Sequence, residues 1–206
     1  MWILVYLDKD YGKTIIIDPM IPKVDASTEI QTNWLNTIYG KDKQEEIPDN
    51  TPKPVGKLMS VNVFVDASRV GENMNDLSHT GILVYVNITP IDWLYKRQNT
   101  VETSPFGAEL IAAWIYTEKV KALHTKLQWL GIPINGLTYM FCDNESVLIS
   151  TSRAESTLSN KHHLISWHSI REATFAGFLG FLKELGETNL AGIFTKQLCI
   201  HRQSRL

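Results

Sequence analysis

The sequence predicts a mixed α/β domain: three antiparallel strands leading into parallel ones, with helices packed over the sheet. Three observations carry that reading. Residues 60–66 (SVNVFVD) alternate apolar and polar side chains, and two further β-branched or aromatic runs follow at 80–86 (TGILVYV) and 91–95 (IDWLY). A long apolar stripe at helical spacing begins after Ser104. Beyond it, short strand-like runs alternate with helical ones, the pattern of parallel strands joined by crossover helices.

In order along the chain, Val61, Val63 and Val65 fall on one face of the first strand, and Asn62, Phe64 and Asp66 on the other. Polar breaks at 68–79 and 87–90 separate the three strands, so antiparallel neighbours are the simplest connection. Ser104 is suited to cap a helix whose first residue is Pro105. Phe106, Leu110, Ala113, Thr117, Val120, Leu123, Leu127 and Leu130 step by three or four along it, and Gly131-Ile132-Pro133 ends it. A strand over 137–142, a helix over 145–152, a polar loop over 153–163 and a helix over 164–176 follow. A strand over 178–185 and a closing helix over 189–197 complete the series, which makes five strands in all.

Upstream of this domain, residues 41–57 (KDKQEEIPDNTPKPVGK) hold three of the chain's eight prolines and many charges. Such a stretch buries too little apolar surface to offset its ordering entropy and reads as a solvated linker. Residues 2–6 and 14–17 suggest short strands or a helix edge, and Trp34, Leu35 and Ile38 have helical spacing. Residues 1–40 lack a second apolar layer of their own. The expected division is a connecting segment and linker over 1–57, a domain over 58–198 and a tail over 199–206.

Composition excludes several classes. With 206 residues and 44% hydrophobic, the chain has ample material for a packed core and is not wholly disordered. Twenty basic against twenty-two acidic residues leave a net charge of −2, so the chain-wide basic footprint of many nucleic-acid binders is absent. That excess sits in residues 1–57, with seven Lys and nine acidic residues; residues 58–206 are neutral. The two cysteines, Cys142 and Cys199, show no metal or disulfide spacing, and Cys142 reads as a small buried hydrophobe. No apolar run approaches the ~18 residues of a membrane span. Met1–Tyr6 lacks the basic region and length of a signal peptide, so an intracellular protein, cytoplasmic or nuclear, is expected. No GxGxxG or P-loop argues for a nucleotide-binding fold.

Three carboxylates stand at pointed places. Asp66 ends the first strand, Glu109 lies one turn into the long helix, and Asp143 follows the strand ending Met140-Phe141-Cys142. Carboxylates gathered there would repel one another unless a positive group lay among them. Mg²⁺ or Mn²⁺ is the natural occupant, because hard cations choose oxygen ligands, and a pair of such ions suits phosphodiester hydrolysis. Surface or capping roles for the three acids remain the alternative on composition alone.

The ordered blocks along 61–198 resemble the ribonuclease H domain at the end of copia-type LTR-retrotransposon polyproteins. They are VFVDA at 63–67, SHTG at 78–81, PIDW at 90–93 and KRQNTVETS at 96–104. GAEL at 107–110, CDNES at 142–146, STLSNK at 156–161, HSIREA at 168–173 and NLAGIFTK at 189–196 continue the series. The VYL at 5–7 and the acidic, proline-containing linker resemble the segment that joins the reverse transcriptase to this domain. No polymerase motif of the YxDD kind occurs.

The resemblance implies a ribonuclease H-like α/β fold, a mixed five-stranded sheet flanked by helices. It implies hydrolysis of RNA in RNA–DNA hybrids by two-metal-ion catalysis, with Mg²⁺ (or Mn²⁺) as cofactor. Asp66, Glu109 and Asp143 correspond to the catalytic, metal-binding acids, Asp66 shared by both ions. The partners implied are the hybrid and, ancestrally, the reverse transcriptase part of the same polyprotein, with no membrane. Lys96, Arg97, Asn144, Lys161, His168 and Arg171 are the candidates for substrate contact. For Lys161, with His162 and His163, a solvated loop is the alternative; for His168 and Arg171, a local polar pair; for Lys96 and Arg97, solubility. Trp93 and Trp114 are expected in the core, and Trp167 either there or stacked on substrate.

The fourth acidic position departs from the pattern. The family writes LADIxTK where this chain has Leu190-Ala191-Gly192-Ile193-Phe194-Thr195-Lys196, so Gly192 marks a lost ligand and Glu187 or Asn189 would have to replace it. Ser68 stands where an acid is common, and Asn75-Asp76-Leu77 where a basic pair is usual. A catalytically decayed remnant, at most a nucleic-acid-binding or scaffold module, is therefore the competing reading. The neutrality of 58–206 predicts weak unaided hybrid binding.

Overall fold

The computed structural model describes residues 17–30, 34, 38–39, 47, 49–68, 77–102, 104–158 and 161–196. The expected elements at 2–6, Leu35, Asn75, Asp76, most of 41–48, Cys199 and the tail lie outside the described residues. Five strands form one sheet in the order β3-β2-β1-β4-β5: β1 Val61–Ser68, β2 His79–Val86, β3 Thr89–Arg97, β4 Thr138–Cys142 and β5 Leu179–Lys183. Strands β1, β2 and β3 pair antiparallel, whereas β4 pairs parallel with β1 and with β5. Helices α1 Pro105–Trp129, α2 Glu145–Ser152, α3 Leu164–Phe175 and the short α4 Gly192–Thr195 complete the fold. From β1 onward the order of strands and α-helices matches the sequence expectation.

Local chemistry sets the ends of α1. The Ser104 hydroxyl accepts from Gly107 N at 3.2 Å, and Pro105 occupies the first turn, where no N–H is needed. At the far end Gly131 adopts a φ of 67°, and the Gly131 and Ile132 amides donate back to Gln128 O and Leu127 O. The buried face is wider than the predicted stripe and includes Ala112, Tyr116 and His124. Leu130, predicted on that stripe, is 71% exposed, because the helix has already ended beneath it.

The main core lies between the sheet and α1 to α3. Val61, Val63, Val65, Ile82, Val84, Met140 and Phe181 pack there with Leu110, Tyr116, Ile170 and Trp167. Trp167 donates its indole N–H to Ser150 O and Oγ, which settles its place inside. Cys142 is buried and reduced, as expected, with its thiol pushed well up by burial and then by the neighbouring Glu109 and Asp143. Trp93 corrects the expectation: it is 57% exposed. Strand β3 is an edge, and Asp92 reaches Lys119 of α1 at 3.6 Å, so Ile91, Trp93 and Tyr95 point to the opposite face.

On that opposite face, Phe64 stacks on Phe141 with ring centroids 4.7 Å apart, directly across the β1–β4 pairing. Residues 18–29 run over it. Asp18 N donates to Thr89 Oγ1, Asn87 Nδ2 to Pro19 O and Tyr139 OH to Glu29. The predicted linker also differs in part, since Val55 N donates to Gly131 O at 2.8 Å, as Met59 N just beyond it does to Pro133 O. Its last residues are tied to the α1–β4 connection because their backbone groups find partners there.

Replacing Ile82, fully buried on β2, by alanine is expected to lower unfolding stability by about 2–5 kcal/mol through lost transfer energy and a residual cavity. A urea melt should show a lower midpoint with an unchanged slope.

Candidate active site

The site forms where the parallel strands end. Strands β1 and β4 lie side by side, so Asp66 near the end of β1 and Asp143 just after β4 reach the same edge of the sheet. Glu109 enters from the first turns of α1, and its Oε1 accepts from Ala67 N at 3.0 Å. Ligand oxygens of Asp66, Glu109 and Asp143 all lie within 4.8 Å of one another. Asp66 is 1% exposed and Glu109 6%, whereas Asp143 is half-buried. The three acids singled out in the sequence are thus brought together.

A fourth group completes the cluster. Lys196 Nζ lies 3.0 Å from Asp66 Oδ1 and 3.3 Å from Asp143 Oδ2, and donates also to Gly186 O at 3.2 Å. Thr195 Oγ1 donates to the other oxygen of Asp66. Burial would lower the Lys196 pKa, but the two carboxylates outweigh it and hold the ammonium above its ordinary value. Glu109 is pushed well above the usual carboxylate range, first by burial and then by the charges of Asp66 and Asp143. Its Oε2 is buried without a hydrogen-bond partner.

Helix α4 is held over this edge by close approach. A Cβ on Gly81 of β2 would come within 2.8–2.9 Å of Thr195 Cγ2, Ala191 O and Phe194 Cβ, so the sheet admits α4 only over a bare glycine. Asn189 is 1% exposed and bonds Val65 O at 2.8 Å and Ala191 N at 3.1 Å. Its amide is taken by backbone, so it does not replace the missing fourth acid; Glu187 is exposed. A Cβ on Gly192 would lie 3.4 Å from Lys196 Cδ and 4.0 Å from Asp66 Oδ2. Position 192, where the resemblance implies a fourth acid, thus faces the cluster.

The remaining candidates separate into three groups. Lys96 and Arg97 are exposed at the end of β3, in register through Thr80 and His79 with Ala67 and Ser68, so they share the sheet edge of Asp66. Asn144 caps α2, its Oδ1 accepting from Ser146 N and Val147 N, and Lys161 is exposed in a 3-10 turn, Lys161–His163. His168 Nδ1 bonds the Tyr39 hydroxyl at 2.7 Å. Arg171 is turned inward, 2% exposed, donating to Ser150 O, Arg153 O and Ala154 O beneath the rings of Trp34 and Trp167. Its donors serve the 150–154 turn rather than a surface phosphate. His163, read as part of a solvated loop, is 2% exposed.

Lys196 and Thr195 were missed as site residues. The available signal was spacing: Lys196 stands four residues after Gly192, one helical turn along.

No family model matches the chain. Its fold matches that of ribonucleases H. The complex of LC11-RNase H1 with an RNA/DNA hybrid superposes with a TM-score of 0.50, at 13% identity over 64% of this chain and 89% of the other. The N-terminal RNase H domain of a Mycobacterium tuberculosis protein, solved as a fusion with maltose-binding protein, gives 0.51 at 13% identity, covering 72% and 99%. The chain has a ribonuclease H-like fold. In sequence it is related to the retrovirus-related Pol polyproteins of the copia-type transposons RE2 and RE1 of Arabidopsis thaliana, at 26% and 27% identity over 143 residues, 69% of this chain. It spans 10% of the length of those relatives.

Because folding raises the Glu109 pKa, the native state holds the extra proton between the ordinary 4.5 and the raised value. Stability of the metal-free protein should therefore fall as pH climbs through that window. Glu109→Gln, which keeps an acceptor for Ala67 N, should flatten this dependence and raise the melting temperature at neutral pH, by roughly 2–4 °C per kcal/mol relieved. Thermal melts across pH check it; an unchanged profile would refute the assignment of the repulsion.

Proposed function

We propose that this chain is a ribonuclease H-type nuclease module that hydrolyses the RNA strand of RNA–DNA hybrids with Mg²⁺ or Mn²⁺, and that it works beside a reverse transcriptase in a retrotransposon-type polyprotein. The observation that carries the proposal is the cluster of Asp66, Glu109 and Asp143 at the carboxyl ends of β1 and β4. Among the described residues, no helix is long and apolar enough to cross a membrane. The proposed boundaries remain a connecting segment and linker over 1–57, the nuclease domain over 58–198 and a tail over 199–206.

The donor set fits a hard divalent cation. All three groups are carboxylates, the Glu109 Oε2 has no other partner, and an ammonium already bridges Asp66 and Asp143. Bound metal would supply charge stabilisation for the attacking and leaving oxygens of the phosphodiester. Asp66, Glu109 and Asp143 would hold it, and Thr195 would orient Asp66. Lys196, with a third of its side chain exposed, is able to swing outward on its flexible stem when metal enters. Lys96 and Arg97 would receive backbone phosphate, and the exposed Lys161 would extend that track. Recognition would rest on hybrid shape and 2′-hydroxyl groups rather than sequence.

One observation favours a second reading. With Gly192 in place of a fourth acid, Lys196 satisfies Asp66 and Asp143 without any metal. A decayed remnant that keeps the fold, and at most binds nucleic acid, would look the same at rest.

A labelled RNA–DNA hybrid incubated with the protein and Mg²⁺ or Mn²⁺ decides between them. Cleavage is expected, falling at least ~100-fold with Asp66→Asn, the upper end of what even an outer-shell metal partner contributes. No cleavage in either metal by correctly folded protein sinks the nuclease reading. Gly192→Asp is expected to tighten Mg²⁺ binding, followed by calorimetry, by placing a carboxylate beside Asp66 and drawing Lys196 off; unchanged affinity would show that this position is not a metal position.

A further inference from the structure

A second cluster of metal-ligating side chains shares no residue with the carboxylate site. Glu102, His162 and His163 place one ligand atom each within 4.8 Å of one another. Glu102 stands before α1, and the two histidines lie in the 3-10 turn that leads into α3. The Glu102 and His163 side chains are 3% and 2% exposed, whereas His162 is exposed.

The geometry within the cluster is unusual for a plain ion pair. Glu102 Oε2 lies 3.0 Å from His163 Nε2, yet that oxygen is buried without a hydrogen bond, so the ring N–H is not aligned on it. A buried carboxylate oxygen with no aligned donor is costly, and such atoms call for a missing partner. The rings of His162 and His163 lie 3.9 Å apart, centroid to centroid, tilted by 48° to each other. Position 107 is glycine, where a Cβ would stand 2.9 Å from His163 Nε2 and closer still to Glu102 Oε2. The backbone of α1 is thus bare where the ligand atoms converge.

We propose that Glu102, His162 and His163 form a transition-metal site that takes a single Zn²⁺, clamping the turn before α3 to the start of α1. Two imidazoles and one carboxylate are a zinc donor set, with the fourth position left to water. Nitrogen ligands also distinguish this site from the all-oxygen cluster of Asp66, Glu109 and Asp143, which suits Mg²⁺. The exposed His162 gives the ion its path in. The ion would join two segments that are far apart in sequence, with one coordination position left open. It does not depend on the nuclease reading.

The test is Zn²⁺ titration of the full chain in excess Mg²⁺, with Co²⁺ as a spectroscopic probe of four-coordinate nitrogen and oxygen ligation. One equivalent of Zn²⁺ is expected to bind and raise the melting temperature, in the wild type and in Asp66→Asn alike. Glu102→Gln and His163→Asn should each weaken binding at least ~10-fold and remove the thermal shift. Should His163→Asn fail to fold, His162→Asn, at an exposed ring, should give the same weakening. The proposal falls if no Zn²⁺ binds, leaving a buried His–Glu ion pair. It falls equally if binding is lost in Asp66→Asn but kept in His162→Asn, which would place the ion on the carboxylates.

Discussion

Everything at the sheet edge depends on keeping three carboxylates within 4.8 Å of one another, two of them more than nine-tenths buried. Like charges at that spacing in a poorly solvated place repel strongly. The fold meets the problem in two ways. It pushes Glu109 toward its neutral form, and it brings an ammonium, Lys196, between Asp66 and Asp143. The cluster is thus held together by burial and one shared ammonium.

The architecture around the cluster follows from that need. The parallel pairing of β1 with β4 aligns two strand ends, and α1 crosses so that its second turn faces them. The last turn of the domain must then come close enough to deliver Thr195 and Lys196. Gly81 permits the approach, and Asn189 anchors the preceding turn to Val65 O. Each of these residues is small or backbone-directed, and each acts on the site through position rather than through chemistry of its own.

Much of this was legible in the linear chain. The Val61-Val63-Val65 alternation, the Ser104-Pro105 start and the Gly131 stop are local signals, and local signals survive folding when tertiary packing agrees with them. Errors came where packing decides. Trp93 was expected inside on its apolar character, but strand β3 is an edge and its outer face is open. Arg171 was a candidate phosphate contact on its charge, but three backbone carbonyls of the 150–154 turn and two indole rings claim its guanidinium. His163 was read with its exposed neighbours, yet a 3-10 turn sends it inward against Glu102, sixty-one residues earlier.

The sequence by itself determined the elements and their order, because periodicity and caps are properties of neighbours along the chain. The resemblance to the ribonuclease H domains of copia-type polyproteins singled out the three acids and marked Gly192 as the place where a fourth is absent. Only the tertiary structure decided what fills that gap. Whether Lys196, Asn189 or Glu187 meets Asp66 depends on how α4 seats against β1 and β2, a matter of three-dimensional approach that no spacing encodes. The same holds for the convergence of Glu102 with His162 and His163, since a contact between distant segments exists only once the core has folded.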